Sequence, residues 1–306
     1  MKPLQQADSV ATPGRPNDGA SRGVVVAPAT LDDDVIAQRA HAGRRKRTRR
    51  QRQRYLAVRF SSLVIVFGAW QLYGMHTIAI LFAPITAVIA AGYDLFAHHQ
   101  LGSELVYTLW TFAIGYAIGV CVGLVLGMLM GAYRTAEAAV SLYIFALYAT
   151  PMVALVPILT LWIGFDSTAQ IVIISMFVTW PMTVTVFHGV RQIDAELTEV
   201  ARSLRLNRRQ NWAHVLLPGA VPYVITGATQ GVAMGLVGVI IAELQTQLSG
   251  LGAALQVTSQ TYHTAAALSV VLLIMILGVT LRAILALVQH RMVPWLRIDR
   301  GDSKRR

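Results

Sequence analysis

The chain has 306 residues, of which 55% are hydrophobic and only 13% are charged. A soluble domain carries about a quarter charged residues, so this composition excludes an ordinary soluble protein and indicates a polytopic membrane protein. The net charge of +11 would suit nucleic-acid binding, but the basic residues lie in a tail and in short segments between apolar runs. The single cysteine, Cys121, excludes an intrachain disulfide.

The first 54 residues form a polar N-terminal tail. Residues 1 to 38 are rich in Ala, Pro, Gly and Asp, a composition that predicts disorder. Arg39 to Arg54 is a basic run that directly precedes the first apolar run. We interpret it as a topology signal that holds the N-terminus in the cytoplasm and attracts anionic lipid, in preference to a nucleic-acid contact. The apolar run starts too late and continues too long for a cleaved secretion signal.

Six apolar runs follow, each near the roughly 20 residues that a helix needs to cross the hydrocarbon core. They predict an all-α polytopic membrane domain over residues 55–292, with spans near 55–74, 104–131, 136–162, 168–190, 216–246 and 264–290. Residues 84–99 are amphipathic and too short to cross, so we expect them to lie along the outer surface. Residues 293–306 form a basic C-terminal tail.

The distribution of Lys and Arg predicts the orientation of these spans. The segments 132–135, 191–215 and 293–306 carry many arginines, whereas the segments 75–103, 163–167 and 247–263 contain neither Lys nor Arg. Cytoplasmic loops carry the excess of positive charge in membrane proteins. We therefore predict that both termini lie in the cytoplasm.

The residues that could carry chemistry are few. The phosphate-binding pattern Gly-x4-Gly-Lys-Ser/Thr and the common metal-ligand spacings are absent from the sequence, so we predict no catalytic, cofactor or metal site in this chain. Glu243 is the main ionisable residue within a span. It is either part of a translocation path, for which Met152 and Gly235 are further candidates, or a carboxylate that is hydrogen-bonded to backbone near the outer interface.

Glycines recur every fourth residue along the second span, which places them on one helix stripe: Gly115, Gly119, Gly123, Gly127 and Gly131. This pattern predicts close packing against another helix. In the third span, Pro151 and Pro157 predict a bend.

One polar, arginine-rich segment lies between the fourth and fifth spans, and it resembles a known pattern. Permease subunits of bacterial ABC importers engage their ATPase through a loop with the pattern Glu-Ala-Ala, three residues, Gly, nine residues, Ile, any residue, Leu-Pro. The residues that fall on this spacing are Glu199, Ala201, Val215, Leu217 and Pro218. Arg205 occupies the position of the family glycine.

Other segments strengthen the resemblance. Thr108–Gly115 (TLWTFAIG), Thr150–Pro157 (TPMVALVP), Leu161–Phe165 (LWIGF) and Ser249–Gly252 (SGLG) are similar to segments of nitrate, sulfonate and taurine permeases. The resemblance covers residues 55–292 in order. It implies the six-helix type I ABC importer permease fold, with a cytoplasmic coupling-helix loop at residues 191–215.

The resemblance also implies partners. Two permease copies form the pore, two ATPase subunits bind the cytoplasmic loops and supply the ATP and Mg²⁺ sites, and a soluble binding protein docks outside. Glu199, Ala201 and Arg202 would contact the ATPase groove, while Leu217 and Pro218 would join the loop rigidly to the fifth span. The other coupling residues would be Arg205 and Asn207.

The departure at Arg205 predicts a shifted turn. A left-handed turn costs an arginine roughly 1 kcal/mol or more, whereas asparagine tolerates it better. We therefore predict that Asn207 adopts a positive φ in place of Arg205, and that Asn207 also caps a helix from Arg208 to about Leu216.

The substrate stays open at the level of sequence. Nitrate, sulfonates and taurine are the predicted solutes, with a thiamine-pyrimidine or flavin-like precursor as the alternative. Two other classes of protein compete with this interpretation. A secondary transporter would transport without ATP while an ion gradient persists, and a membrane-anchored interaction protein would not transport at all.

Overall fold

The computed structural model describes residues 55–98, 101–193, 203 and 206–292, so both predicted tails lie outside the described residues. Every regular element of this described part is helical. The helices are α1 (Tyr55–His76), α2 (Ile85–His98), α3 (Leu101–Ala132), α4 (Arg134–Ala149), α5 (Met152–Ile163), α6 (Ser167–Arg191), α7 (Arg208–Asn211), α8 (Leu217–Thr246), α9 (Leu251–Gln260) and α10 (Thr264–Met292), with a π-helical turn at Trp212–Leu216.

The chain divides into two compact units, residues 1–65 and 66–306. The described part of the first unit is the beginning of α1, where the hydroxyls of Ser61 and Ser62 donate to the carbonyls of Val58 and Arg59. The second unit contains the rest of the described helices, and the following paragraphs concern that unit.

Five described helices are long and apolar enough to cross a membrane, and the pair α4 and α5 makes up to six if it counts as one span. The crossing segments are Tyr55–His76, Leu101–Ala132, Ser167–Arg191, Arg209–Thr246 and Thr264–Gln289. The predicted all-helical membrane fold is therefore confirmed.

The predicted span 136–162 is not one helix. It consists of α4 and α5, whose axes differ by 102°. The break lies at Thr150 and Pro151, because a residue that precedes proline avoids the helical region. Thr150 is extended, with φ −74° and ψ 134°. Pro157 lies inside α5 without ending it. The sequence predicted a bend in one span. The observed angle between α4 and α5 is larger than a bend and is that of a broken span or a re-entrant loop.

The glycine stripe of α3 packs against α6, and the two helices run parallel. Ideal Cβ atoms added to the five glycines would lie 2.5–2.8 Å from Cβ atoms or a backbone oxygen of α6. The opposing residues recur every fourth position: Ile174, Val178, Met182, Val186 and Val190. This interface is the predicted close packing, and it lets the backbones of α3 and α6 approach each other.

The helix α6 is enclosed by its neighbours in this unit. Its other side packs against α8, which runs antiparallel to it and also presents glycines, such as Gly227 near Met182 and Gly231 near Val178. We call the end of the bundle that contains Tyr133, Arg191 and Trp212 the basic end, and the end that contains Glu104, Asp166 and Gly250 the acidic end. Among the described residues, no Lys or Arg lies at the acidic end.

Candidate functional site

The predicted coupling residues fall into two groups. Glu199, Ala201, Arg202 and Arg205 lie outside the described residues. Asn207, Leu217 and Pro218 are described, and all three are exposed at the basic end. The described part of the segment therefore runs from Leu206 into α8.

Asn207 caps the short helix α7, as the sequence predicts. Its side-chain oxygen accepts the backbone N–H of Gln210 at 2.9 Å, and the Gln210 side chain accepts the backbone N–H of Asn207 at 2.9 Å. This reciprocal pair is a capping box. A capping residue adopts an extended backbone, and Asn207 is not among the described residues with positive φ. The prediction of a left-handed turn at Asn207 is therefore wrong.

The capping box should stabilise the first turn of α7, and a substitution at Asn207 tests this. Asn207→Ala should destabilise the first turn of the segment by about 1 kcal/mol, because two N–H groups lose their acceptor or its orientation. Hydrogen exchange at the amides of Gln210 and Asn211 should accelerate by roughly fivefold, and Asn207→Ser should restore most of the protection. Equal exchange in the alanine variant and the wild type would show that the cap contributes nothing.

The segment continues into α8 through the π-helical turn Trp212–Leu216. In this turn the Leu217 N–H reaches back to the carbonyl of Trp212. Pro218, the next residue, has no N–H to give to the carbonyl of His214, so the regular helical pattern fails here. The turn keeps the chain helical across that failure, and α7 and α8 form a continuous helical path.

One contact connects this path to the turn between α3 and α4, and an ion pair near it connects α6 to α4. The indole N–H of Trp212 donates to the hydroxyl of Tyr133, at 3.1 Å, in the turn between α3 and α4. Nearby, Arg191 at the end of α6 forms an ion pair with Glu137 of α4. The sequence analysis did not find the Trp212–Tyr133 pair. A half-buried indole normally requires an acceptor, so Trp212 was a signal, but the sequence does not identify the partner.

Glu243 stands near the opposite end of α8, and it is fully buried. One oxygen accepts the hydroxyl of Thr108 at 2.8 Å, and the other accepts the N–H of Gly252 at 2.8 Å. Thr108 in turn accepts the N–H of Leu251 at 2.8 Å, and Glu104 accepts the N–H of Gly250. Three side chains from α3 and α8 thus satisfy the first N–H groups of α9, which a helix cannot satisfy internally.

The backbone at Gly250 makes this cap possible. Gly250 has φ 109°, and a Cβ there would lie 2.2 Å from the carboxyl carbon of Glu243. A side chain would be both strained and blocked. At the same end, Asp166 caps α6, and the N–H of Ala169 holds the pKa of Asp166 below its ordinary value.

The three candidates for the translocation path lie in packed regions of the unit. Met152 is half-buried against the cluster of Val156, Ile173, Phe177 and Ala242. Gly235 is buried, and its Cβ position would lie 2.9 Å from Val178. Glu243 is occupied by the α9 cap. Their role in a path stays a prediction. Among the described residues, no group of three or more His, Cys, Asp or Glu side chains could hold a metal ion.

The glycine-packed helical bundle, with a helical segment at its basic end, is that of an integral membrane protein. In support, residues 119–297 match the family described as "Binding-protein-dependent transport system inner membrane component". The chain belongs to this family. The solved structure titled "Crystal structure of an amino acid ABC transporter with histidines" shares the fold, with a TM-score of 0.51 and 20% identity over 63% of this chain and 94% of that one.

Relatives at higher identity are similar over much of the chain. A protein of Escherichia coli (strain K12), named as an aliphatic sulfonates transport permease protein, SsuC, is 35% identical over 61% of this chain and 72% of its own length. The SsuC protein of Bacillus subtilis (strain 168) is 26% identical over 76% of this chain and 84% of its own. The taurine transport system permease protein TauC of Escherichia coli (strain K12) is 30% identical over 47% of this chain and 53% of its own length.

Proposed function

We propose that this chain is the permease subunit of an ATP-driven, binding-protein-dependent importer for a small organic or inorganic anion such as a sulfonate, taurine or nitrate. Two copies form the pore in the bacterial plasma membrane, with both termini in the cytoplasm. ATP and Mg²⁺ bind to two copies of a separate ATPase chain, so this chain is not itself an enzyme. A solute-binding protein docks at the acidic end, and lipid surrounds the spans.

The observation that carries this proposal is the continuous helical path from the capped turn at Asn207 through Pro218 into α8. A subunit whose spans rearrange when the ATPase moves needs a rigid segment that transmits the displacement of the ATPase to the spans. In this proposal Glu199, Ala201 and Arg202 contact the ATPase, and Arg205 extends that contact. Leu217 and Pro218 transmit the displacement to α8.

Charge reversal at Glu199 tests the coupling assignment. Glu199→Lys should insert normally but co-purify poorly with the ATPase, and both taurine uptake and substrate-stimulated ATP hydrolysis should fall by at least tenfold. Glu196→Lys makes the same change in the same loop, off the Glu-x-Ala spacing, and should retain more than half of the activity. Wild-type hydrolysis and uptake in Glu199→Lys would reject the assignment.

A flavin-like solute is the second candidate. The riboflavin transport system permease protein RibX of Chloroflexus aurantiacus is 26% identical over 53% of this chain and 60% of its own length. Competition distinguishes the candidates, since excess ethanesulfonate should suppress labelled taurine uptake and excess riboflavin should not. Depletion of ATP with the ion gradient maintained separates the importer from a secondary transporter, because only a secondary transporter would continue uptake.

A further inference from the structure

The central helix α8 has polar groups on two sides. On one side, these groups form hydrogen bonds with the neighbouring helices α3 and α10. The carbonyl of Ala228 accepts the hydroxyl of Tyr116 on α3, at 2.9 Å. On α10, the amide of Gln289 donates to the hydroxyl of Thr229 at 2.8 Å. Polar groups on this side are therefore matched within the unit.

The other polar side of α8 is not covered by a neighbouring helix of the described residues. Its exposed residues recur at helical spacing: Thr226, Gln230, Ala233, Met234 and Val237. Gln230 lies near the middle of α8, roughly 20 Å from the first residue of the helix and roughly 24 Å from the last at 1.5 Å per residue. An exposed amide thus stands near the midplane of a membrane-crossing helix.

Only one of the two polar groups of the Gln230 side chain has a hydrogen-bond partner among the described residues. Its side-chain oxygen accepts the hydroxyl of Thr185 on α6 at 2.8 Å. The side-chain NH₂ has no acceptor among the residues that the structure describes. Towards the basic end, the Tyr223 hydroxyl donates to the side-chain oxygen of Gln192 at 3.5 Å. His188, which precedes Gln192 by about one helical turn, is also exposed. We call this set the polar stripe: Thr185 and His188 of α6, Gln192 directly after α6, and Tyr223, Thr226 and Gln230 of α8.

The energetics of an exposed amide decide what the polar stripe faces. An amide without a hydrogen-bond partner costs roughly 4–8 kcal/mol when it moves from water into hydrocarbon. Polar residues at membrane depth therefore face a water-filled cavity or another protein surface. The stripe contains no carboxylate, so it does not repel an anion. The free NH₂ of Gln230 is a donor suited to an anionic oxygen.

We propose that the polar stripe lines the translocation path, with the Gln230 amide donating to the anionic group of the passing solute. The path then runs along the α6–α8 groove and not through Met152, Gly235 or Glu243. The identity of the anion rests on the proposed function, whereas the position of the path rests only on the geometry of α6 and α8.

Water access along the stripe tests the position. In a Cys121→Ser background, single cysteines at Gln230 and Thr226 are compared with Val279→Cys, which lies midway along α10 on an exposed apolar surface. The probe is 2-sulfonatoethyl methanethiosulfonate, a sulfonate anion. The cysteine thiolate displaces methanesulfinate from it and forms a mixed disulfide, and this attack requires the thiolate, which forms in water.

Gln230→Cys and Thr226→Cys should react at least tenfold faster than Val279→Cys in membranes that contain the assembled transporter. Equally slow reaction at all three positions would overturn the proposal, because the stripe would then face lipid. So would a disulfide between the Gln230→Cys residues of two copies whose thiols stay unlabelled after the disulfide is reduced, since the stripe would then be a closed subunit interface.

Transport tests the role of the amide. Gln230→Glu places a carboxylate in the path and should raise the KM for taurine uptake at least tenfold, while Gln230→Asn should raise it by less. Gln260→Glu adds the same charge at the end of α9, outside the stripe, and should change the KM less than twofold. An unchanged KM in Gln230→Glu would overturn the contact with the anion. Labelling requires no transported solute, so fast labelling in a transporter that takes up no sulfonate would keep the path and reject only the proposed substrate.

Discussion

Gly123→Ala should destabilise the protein by about 2 kcal/mol relative to Gly68→Ala, because only the first of these glycines lies in a helix interface. An added Cβ at Gly123 would lie 2.7 Å from the Cβ of Met182 and 2.8 Å from the carbonyl oxygen of Thr179, whereas one at Gly68 would meet nothing within 4 Å. Both changes gain a similar helix propensity of about 1 kcal/mol, so the difference isolates the packing of α3 against α6.

Thermal unfolding in detergent measures this difference, and a graded series makes it sharper. Gly123→Leu should prevent α3 from approaching α6 and should reduce the folded yield to a small fraction, while Gly68→Leu should fold. If Gly123→Ala proved as stable as Gly68→Ala, the parallel α3–α6 interface could not be as close as the structure has it.

Glu243→Leu should also destabilise the protein, by roughly 3 kcal/mol. It leaves the buried N–H of Gly252 without an acceptor and removes the acceptor of the Thr108 hydroxyl. Each unsatisfied buried group costs about 1–3 kcal/mol. Glu243→Gln keeps one oxygen and nearly the same volume, so it should lose less than half as much.

The two Glu243 variants also separate a structural role from a transport role. If α9 depends on this cap, hydrogen exchange at Leu251 and Gly252 should accelerate strongly in Glu243→Leu and weakly in Glu243→Gln. Unchanged protection in Glu243→Leu, with loss of uptake, would return Glu243 to the list of path residues.

The helices were predictable from sequence because apolar length and glycine spacing are local signals. The four-residue spacing from Gly115 to Gly131 predicts a packing stripe without any knowledge of its partner. The capping role of Asn207 was predictable for the same reason, since the acceptor and the N–H are three residues apart.

Two local features and one long-range feature were not predicted from the sequence. The backbone of Asn207 was expected to be left-handed because a family glycine was missing nearby, but the partner side chain of Gln210 decides its conformation. The 102° corner at Pro151 exceeds a proline kink because Thr150 is also extended. The exposure of Gln230 follows from which side of α8 the helices α3, α6 and α10 cover, and no local pattern contains that information.

The crossing segment Arg209–Thr246 has 38 residues, and its length sets a mechanical scale. At 1.5 Å per residue it is roughly 57 Å long, so a tilt of about 10° around its midpoint would displace each end by roughly 5 Å. Gln230 lies close to that fulcrum and would hardly move. The two ends of the segment would move in opposite directions. Because the Glu243–Gly252 hydrogen bond links the C-terminal end of α8 to the first turn of α9, that turn would move together with this end.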